Sequence, residues 1–274
     1  MLRTFMLATL ALAGFMLVAS VAPTMAQTQY TPVFDHKAPD PPRDLKRPAI
    51  LVLSKANAFR HKSMPVVATA IKDIAAQRNW PLYETDNAAV MTNALMKRFD
   101  VIVLNNTTGD LFTPEQRLVF RKWIEKGGRV VALHGAGGTS NHPWPWYVDN
   151  VIGAGFTGHP KIQNGTIRIE DHDHPATKAL PASWPRNDEW YSFDRNPRGP
   201  NVRVLASVDE ATYDPTDKLR MGTDHPVIWT KCLGKGGIFF SALGHQDADW
   251  SDPVFLSHIE GALDWARDKK ARLC

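Results

Sequence analysis

Cysteine is scarce. Cys232 and Cys274 are the only two in 274 residues. Two thiols make no multi-bridge framework of the kind that holds small secreted domains together. Cys232 follows an apolar, strand-like run and is expected to be a small buried residue, although an exported chain could oxidise the pair. Long apolar runs are also missing beyond the N-terminus. No later segment has about 18 consecutive apolar residues, so no membrane span is expected after the first segment. Charge of one sign is not concentrated: 32 Lys and Arg oppose 28 Asp and Glu, and they are scattered, so no nucleic-acid partner is expected. No nucleotide cofactor is expected either. There is no internal repeat and no linker that would divide the chain.

The N-terminus does carry a signal. Arg3 precedes an apolar run from Met6 to Val18, and Thr24-Met-Ala26 places small residues before a cut after Ala26. Residues 1–26 therefore read as a cleaved secretory signal peptide. This implies a periplasmic or secreted protein with no membrane contact after cleavage. Residues 27–47 are polar and proline-rich and read as an extended leader that packs on the surface or stays mobile. Residues 48–268 form one domain, and residues 269–274 a solvated basic tip that complements a helix dipole.

Within the domain, Ala49 to Leu53, Pro81 to Thr85, Asp100 to Asn105 and Val130 to Leu133 read as strands with helices between them. Ser63 is placed to cap the first helix, with Val66, Val67, Ala70, Ile71 and Ile74 at helical spacing. Thr113, Pro114 and Gln116 spell a capping box for the next, whose apolar contacts are Leu118, Phe120, Trp123 and Ile124. The β-α-β alternation predicts an α/β fold, flavodoxin-like, with a mostly parallel sheet and helices on both faces. Further on, Ile162 to Glu170 alternates and could be an edge strand. Val202 to Val208, Val227 to Thr230 and Gly237 to Leu243 are strands, and Asp252 and Pro253 open the last helix.

The chain is organised around Arg129-Val-Val-Ala-Leu-His-Gly-Ala-Gly-Gly138. A polar residue at the end of a buried strand, followed at once by glycines, reads as a sharp turn that lifts one side chain above the carboxyl edge of the sheet, where ligands of open α/β sheets bind. That residue is His134, not a Ser or Cys. Imidazole is a base, a proton donor or a metal ligand, and a poor substitute for a thiolate that forms an acyl intermediate. Other polar residues fall in the same kind of loop: His61, Thr107, Thr108, His159, Glu189, His225, His245 and Asp247. Loops at the carboxyl ends of one sheet converge, so these can share a pocket. Two mechanisms remain open. In one, His134, Glu189 and His245 bind a divalent metal such as zinc. In the other, the histidines work with Glu189 or Asp247 in acid–base catalysis without metal. His172 and His174 more simply make local hydrogen bonds. Trp146, Trp190 and Tyr191 offer flat faces with polar tips, which suit a sugar.

Phe59-Arg-His61, Asn106-Thr-Thr-Gly-Asp110, Leu133-His-Gly-Ala-Gly-Gly138, Gly153-Ala-Gly-Phe-Thr-Gly-His-Pro160, His174-Pro175, Asp188-Glu-Trp-Tyr191, Asp224-His-Pro-Val-Ile-Trp229 and Gly244-His245 occur together and in order over about residues 48–268. In these segments the chain resembles the ThuA-like (trehalose utilisation) family, whose fold is similar to that of class I glutamine amidotransferases. The amidotransferase elbow cysteine is replaced by His134, so glutaminase activity is not carried over. The resemblance implies carbohydrate metabolism: a hydrolase or lyase acting on a disaccharide, glycoside or keto-sugar. The alternative is a non-catalytic sugar-binding protein. His61, His134, His159, Glu189, His225 and His245 are its implied pocket residues. A small carbohydrate is the expected partner, and a homo-oligomer is compatible with this reading.

Overall fold

A computed structural model describes residues 30–274. The signal-peptide expectation for residues 1–26 lies outside the described residues. The first four strands are short: β1 (Ala49–Leu53), β2 (Leu82–Thr85), β3 (Phe99–Asn105) and β4 (Arg129–Leu133), all but β2 mainly apolar. Every residue of β1 and β4 is buried, as expected of strands covered on both faces. Helix α1 (Met64–Gln77) joins β1 to β2, and α2 (Pro114–Glu125) joins β3 to β4. Between β2 and β3 the chain makes two 3-10 turns, Ala88–Val90 and Leu95–Arg98, in place of the helix that strict alternation predicts.

The second half adds a three-residue helix, α3 (Pro145–Tyr147), then β5 (Phe156–Gly158), β6 (Gln163–Ile169), β7 (Ser183–Asp188), β8 (Ser192–Phe193), β9 (Val202–Asp209), β10 (Pro226–Leu233), β11 (Gly236–Ser241) and α4 (Pro253–Arg267). Nine strands form one sheet in the order β2-β1-β3-β4-β11-β10-β9-β6-β7, while β5 and β8 pair apart from it. Strands β2, β1, β3, β4 and β11 run parallel. From β11 to β7 every pairing is antiparallel. The fold is α/β and forms a single domain, with a mixed sheet. From β1 the chain moves one way to β2, and from β3 the other way to β4. Right-handed crossovers in opposite directions put their helices on opposite faces. Helix α4 lies beside α1, joined to it by Arg78 to Glu260 at 2.7 Å and Asp264 at 3.3 Å.

Several local expectations meet a different answer. The capping box at Thr113 and Gln116 forms in full. Ser63 stands at its cap position but in helical geometry, with its hydroxyl buried and unpartnered. Leu118 is half exposed and lies outside the buried core. The segment read as an edge strand, β6, lies one place inside; β7 is the edge, and Pro185 sits in it, as edge strands allow. Cys232 is not a free buried thiol: it is bonded to Cys274, closing a separation of 42 residues. The basic tip is therefore no loose end. It is tied back by that bond, by Trp265 donating to the Arg272 carbonyl at 2.8 Å and by Lys269 to Asp100 at 3.6 Å.

Residues 30–47 pack as a strap. Asp35 pairs with Lys55 at 2.8 Å and accepts from Ala88 N at 2.8 Å. Gln116 donates to the Asp35 carbonyl, and Arg98 to the carbonyls of Pro41, Pro42 and Leu45. Lys55 and Ala88 both follow strands of the parallel half, so the strap crosses the carboxyl edge of the sheet.

Candidate active site

Strand β4 ends at Leu133, and His134 turns at once with φ 39°, in the left-handed region that non-glycine residues avoid. A 3-10 turn, His134–Gly137, follows. Such strain is kept where the surroundings enforce it. Here Asn106 Oδ1, after β3, accepts from Gly135 N at 3.1 Å, and His134 Nδ1 lies 2.7 Å from the Ala242 carbonyl after β11. A carbonyl only accepts, so Nδ1 carries the proton, and the neutral ring presents a lone pair at Nε2 toward the Tyr191 hydroxyl at 2.9 Å. Gly135 must be glycine for another reason: a Cβ there would lie 2.7 Å from the His61 ring.

His134 Nε2 points into a group of donors brought by four loops. Glu189 Oε2 is 3.4 Å from it, His245 Nδ1 3.3 Å and the Tyr191 hydroxyl 2.9 Å. Glu189 Oε2 is also 3.2 Å from His245 Nδ1 and 3.6 Å from His159 Nε2. His61 adds its ring, with centroids 4.9 Å from His134 and 5.5 Å from His245. One ligand atom from each of His61, His134, Glu189 and His245 lies within 4.8 Å of all the others, so these four could hold a metal ion. His61 thus joins the three residues read as ligands from sequence.

Two further features fit a cation. Tetrahedral donors bonded at about 2.1 Å stand about 3.4 Å apart, which matches the spacing of Glu189, His134 and His245. His61 Nδ1 is buried and has no hydrogen-bond partner. Burial, helped by repulsion from His134 and His245, pushes the His61 imidazole down to about 3, so it stays neutral. Burial pushes the Glu189 carboxyl up, but the imidazoles of His134, His245 and His159 gathered round it outweigh that and hold it well below the usual carboxylate range. The hydrogen bond between His245 and Glu189 raises His245.

Asp188 is the anchor that sequence reasoning passed over, although it stood inside a matched segment. It is fully buried at the end of β7. Its carboxylate accepts from Glu189 N at 2.9 Å, Gly244 N at 2.8 Å and His245 N at 3.3 Å. One side chain thereby fixes the backbones of both Glu189 and His245. An Asp beside a Glu just before Trp-Tyr was the available signal.

Of the residues singled out from sequence, the structure brings together His61, His134, His159, Glu189, Tyr191 and His245. It does not bring in the others. Asp247 is exposed at the start of a short turn and touches none of the four clustered residues. His225 lies behind the site: it donates from Nε2 to the Tyr191 carbonyl at 2.8 Å and meets Glu210 at 3.1 Å. Trp190 is wholly buried, and its indole N–H donates to the Gln163 carbonyl. Trp146 stacks on Trp144 and under Arg121 of α2. Thr108 donates to the Phe59 carbonyl, and Thr107 bonds the buried Tyr147 hydroxyl. These support the loops and do not face the cluster. His174 accepts from Ala176 N at 3.1 Å, a local bond as expected.

Fold and site define an α/β protein with a histidine–carboxylate cluster at the carboxyl edge of its parallel strands. The family profile of ThuA, described as trehalose utilisation, matches residues 49–266. The chain belongs to the ThuA family. Among solved structures it is similar to a putative ThuA-like protein from Bacteroides uniformis, at 24% identity and TM-score 0.71 over 86% of this chain and 98% of that one. A putative ThuA-like protein from Parabacteroides merdae follows at 20% identity and TM-score 0.64, over 82% and 92%. A β-galactosidase from a Rahnella species shares the fold over 80% of this chain but 31% of its own, at 14% identity and TM-score 0.51. No curated protein matches the sequence.

Proposed function

We propose that this chain is an enzyme that cleaves a disaccharide, glycoside or keto-sugar derivative, by hydrolysis or elimination, at the cluster of His61, His134, Glu189 and His245. These four hold a divalent ion such as zinc. The reading is carried by one observation: a tautomer-fixed His134 nitrogen, a carboxylate oxygen and a His245 nitrogen converge at 3.2 to 3.4 Å, with a His61 ring nitrogen within 4.8 Å of them. The family description supplies the substrate class.

When bound, the ion supplies Lewis acidity toward a sugar oxygen or a water. His134 is fully buried and pinned through Nδ1, so it is a ligand and not a group that reaches substrate. His159 and His245 are the open imidazoles, with side chains 36% and 22% exposed, and the sugar enters past them. His159 stands outside the four ligands, with Nε2 3.6 Å from Glu189 Oε2, and is the imidazole free to take and return a proton. In hydrolysis, water gives a proton to His159 as its oxygen bonds to carbon. The glycosidic oxygen takes a proton as its own bond to carbon breaks.

Untagged protein incubated with trehalose and 3-keto-disaccharides, with and without zinc or manganese, tests this. Metal-dependent product should form and fall at least about a hundredfold in Glu189→Gln. No turnover of any of these sugars would contradict the reading. Binding of unaltered sugar that survives Glu189→Gln would instead mark a sugar-binding protein.

We further propose that the protein works after export. The pattern of residues 1–26 supports this, and so does the Cys232–Cys274 bond, since such bonds persist in oxidising compartments. Fractionation should place it outside the cytoplasm with Gln27 as its first residue. A cytoplasmic chain retaining Met1 would overturn it.

A further inference from the structure

Beside the histidine cluster, on the same edge of the sheet, lies a cleft of about 580 Å³, within the range of small-molecule sites. One wall is the N-terminal strap, through Tyr30 and Pro32. The other walls are Asn57 and Ala58, the loop at Asp110, and Thr139 and Ser140. Chain neighbours of its walls reach the cluster at two points. Ala58 is followed by Phe59, whose half-exposed ring stands edge-on to His61 at 4.8 Å. Thr139 is preceded by Gly138, packed so closely on the Tyr191 hydroxyl that a Cβ would lie 2.7 Å from it.

We propose that this cleft is a second sugar subsite, walled by the strap, for the neutral glycosyl unit joined to the one held at the cluster. The inference rests on the function proposed above and adds that the substrate is at least a disaccharide.

The walls are built, not incidental. Asn57 Nδ2 donates both to the Val33 carbonyl at 3.1 Å and to the Asp110 carbonyl at 2.6 Å, which ties the strap to the loop after β3. Two residues further along, Asp35 anchors the strap to Lys55 and Ala88. Tyr30 is left 48% exposed. An open aromatic ring beside hydroxyls and amides matches the apolar face and hydroxyl edge of a pyranose. Charge sets the class of ligand. Asp110 is the one ionisable acid or base among the lining residues apart from the Tyr30 phenol, and it is paired with Arg117 at 2.5 Å. The cleft therefore offers no free cation to a phosphate or carboxylate, and a neutral sugar fits it.

Calorimetric titration of methyl α-D-glucoside, trehalose and their 3-keto forms into native protein, Tyr30→Ala and Ser140→Trp reads the subsite as a ratio of affinities. The native protein should prefer disaccharide over monosaccharide at least tenfold, and both variants should lower that ratio at least tenfold. If Ser140→Trp loses its fold by circular dichroism, Tyr30→Ala decides alone, because its ring is half open to solvent. An unchanged ratio, with turnover still lost in Glu189→Gln, would remove the subsite and leave the cluster reading standing. A native protein that neither binds nor cleaves any of these sugars would overturn both.

Discussion

At the scale of single residues, the site depends on side chains that hold others in place. Gly135 is the sharpest case, because its missing Cβ is the space that the His61 ring fills. Gly135→Ala should push His61 off the cluster, cost about 1–3 kcal/mol as overpacking and lower metal affinity at least about tenfold. Urea unfolding and zinc titration would read these, and native-like values of both would contradict the geometry. Asp188→Asn keeps shape but turns an N–H toward backbone donors that need an acceptor. It should cost about 1–3 kcal/mol and impair the cluster from behind, whereas Asp247→Asn should change neither. His134, His61, Glu189 and His245 were legible in sequence because each ends a strand or sits in a loop at one edge. Asp247 was named from sequence and Asp188 passed over for a physical reason. Sequence shows which carboxylates lie near a site, but not which is turned inward to take three backbone N–H groups.

At the scale of elements, local chemistry read well where it was self-contained. The α2 capping box forms as spelled, and Thr113→Ala should cost about 1 kcal/mol by denaturant titration. An unchanged midpoint would show that the cap is redundant. The inner parallel strands β1, β3, β4 and β11 were legible from their apolar runs. Strand β7 was not, because Ser183-Trp-Pro-Arg-Asn-Asp188 is polar and holds a proline; its place is set by pairing with β6, which is tertiary information. Helix α4 buries His258 completely. Its Nδ1 meets the Ala176 carbonyl at 2.8 Å and its Nε2 the Ser241 hydroxyl at 3.1 Å. Burial pushes this imidazole down to about 4. The unfolded chain thus binds a proton, near its ordinary value of about 6.5, before the folded chain does. Stability is full above pH 6.5 and should fall as pH drops toward 4. Thermal melts from pH 7.5 to 4.5 should show that slope, and His258→Gln should flatten it. An equal slope in the variant would assign it to other groups.

At the scale of the molecule, two long-range ties frame the domain. The strap crosses the site edge at one end, and the Cys232–Cys274 bond secures the last residues at the other. Closing 42 residues should be worth about 2–4 kcal/mol, so Cys232→Ser should lower the unfolding free energy read by urea titration by that amount without removing sugar turnover. Neither tie was legible. The pairing needs the β10–β11 hairpin to bring Cys232 near the C-terminus, and the course of the strap follows from Asp35 meeting Lys55, residues with no shared motif. The family and fold were legible because many weak segments recur in one order.

The central claim is that four side chains from four separate loops make one metal centre. Elemental analysis of untagged protein, purified without chelator, beside His134→Ala and Glu189→Gln, tests it most directly. The account predicts about one equivalent of a divalent transition metal in the native protein and its loss from both variants, with their folds intact by circular dichroism. A native protein that carries no metal and takes up neither zinc nor manganese on titration would contradict it.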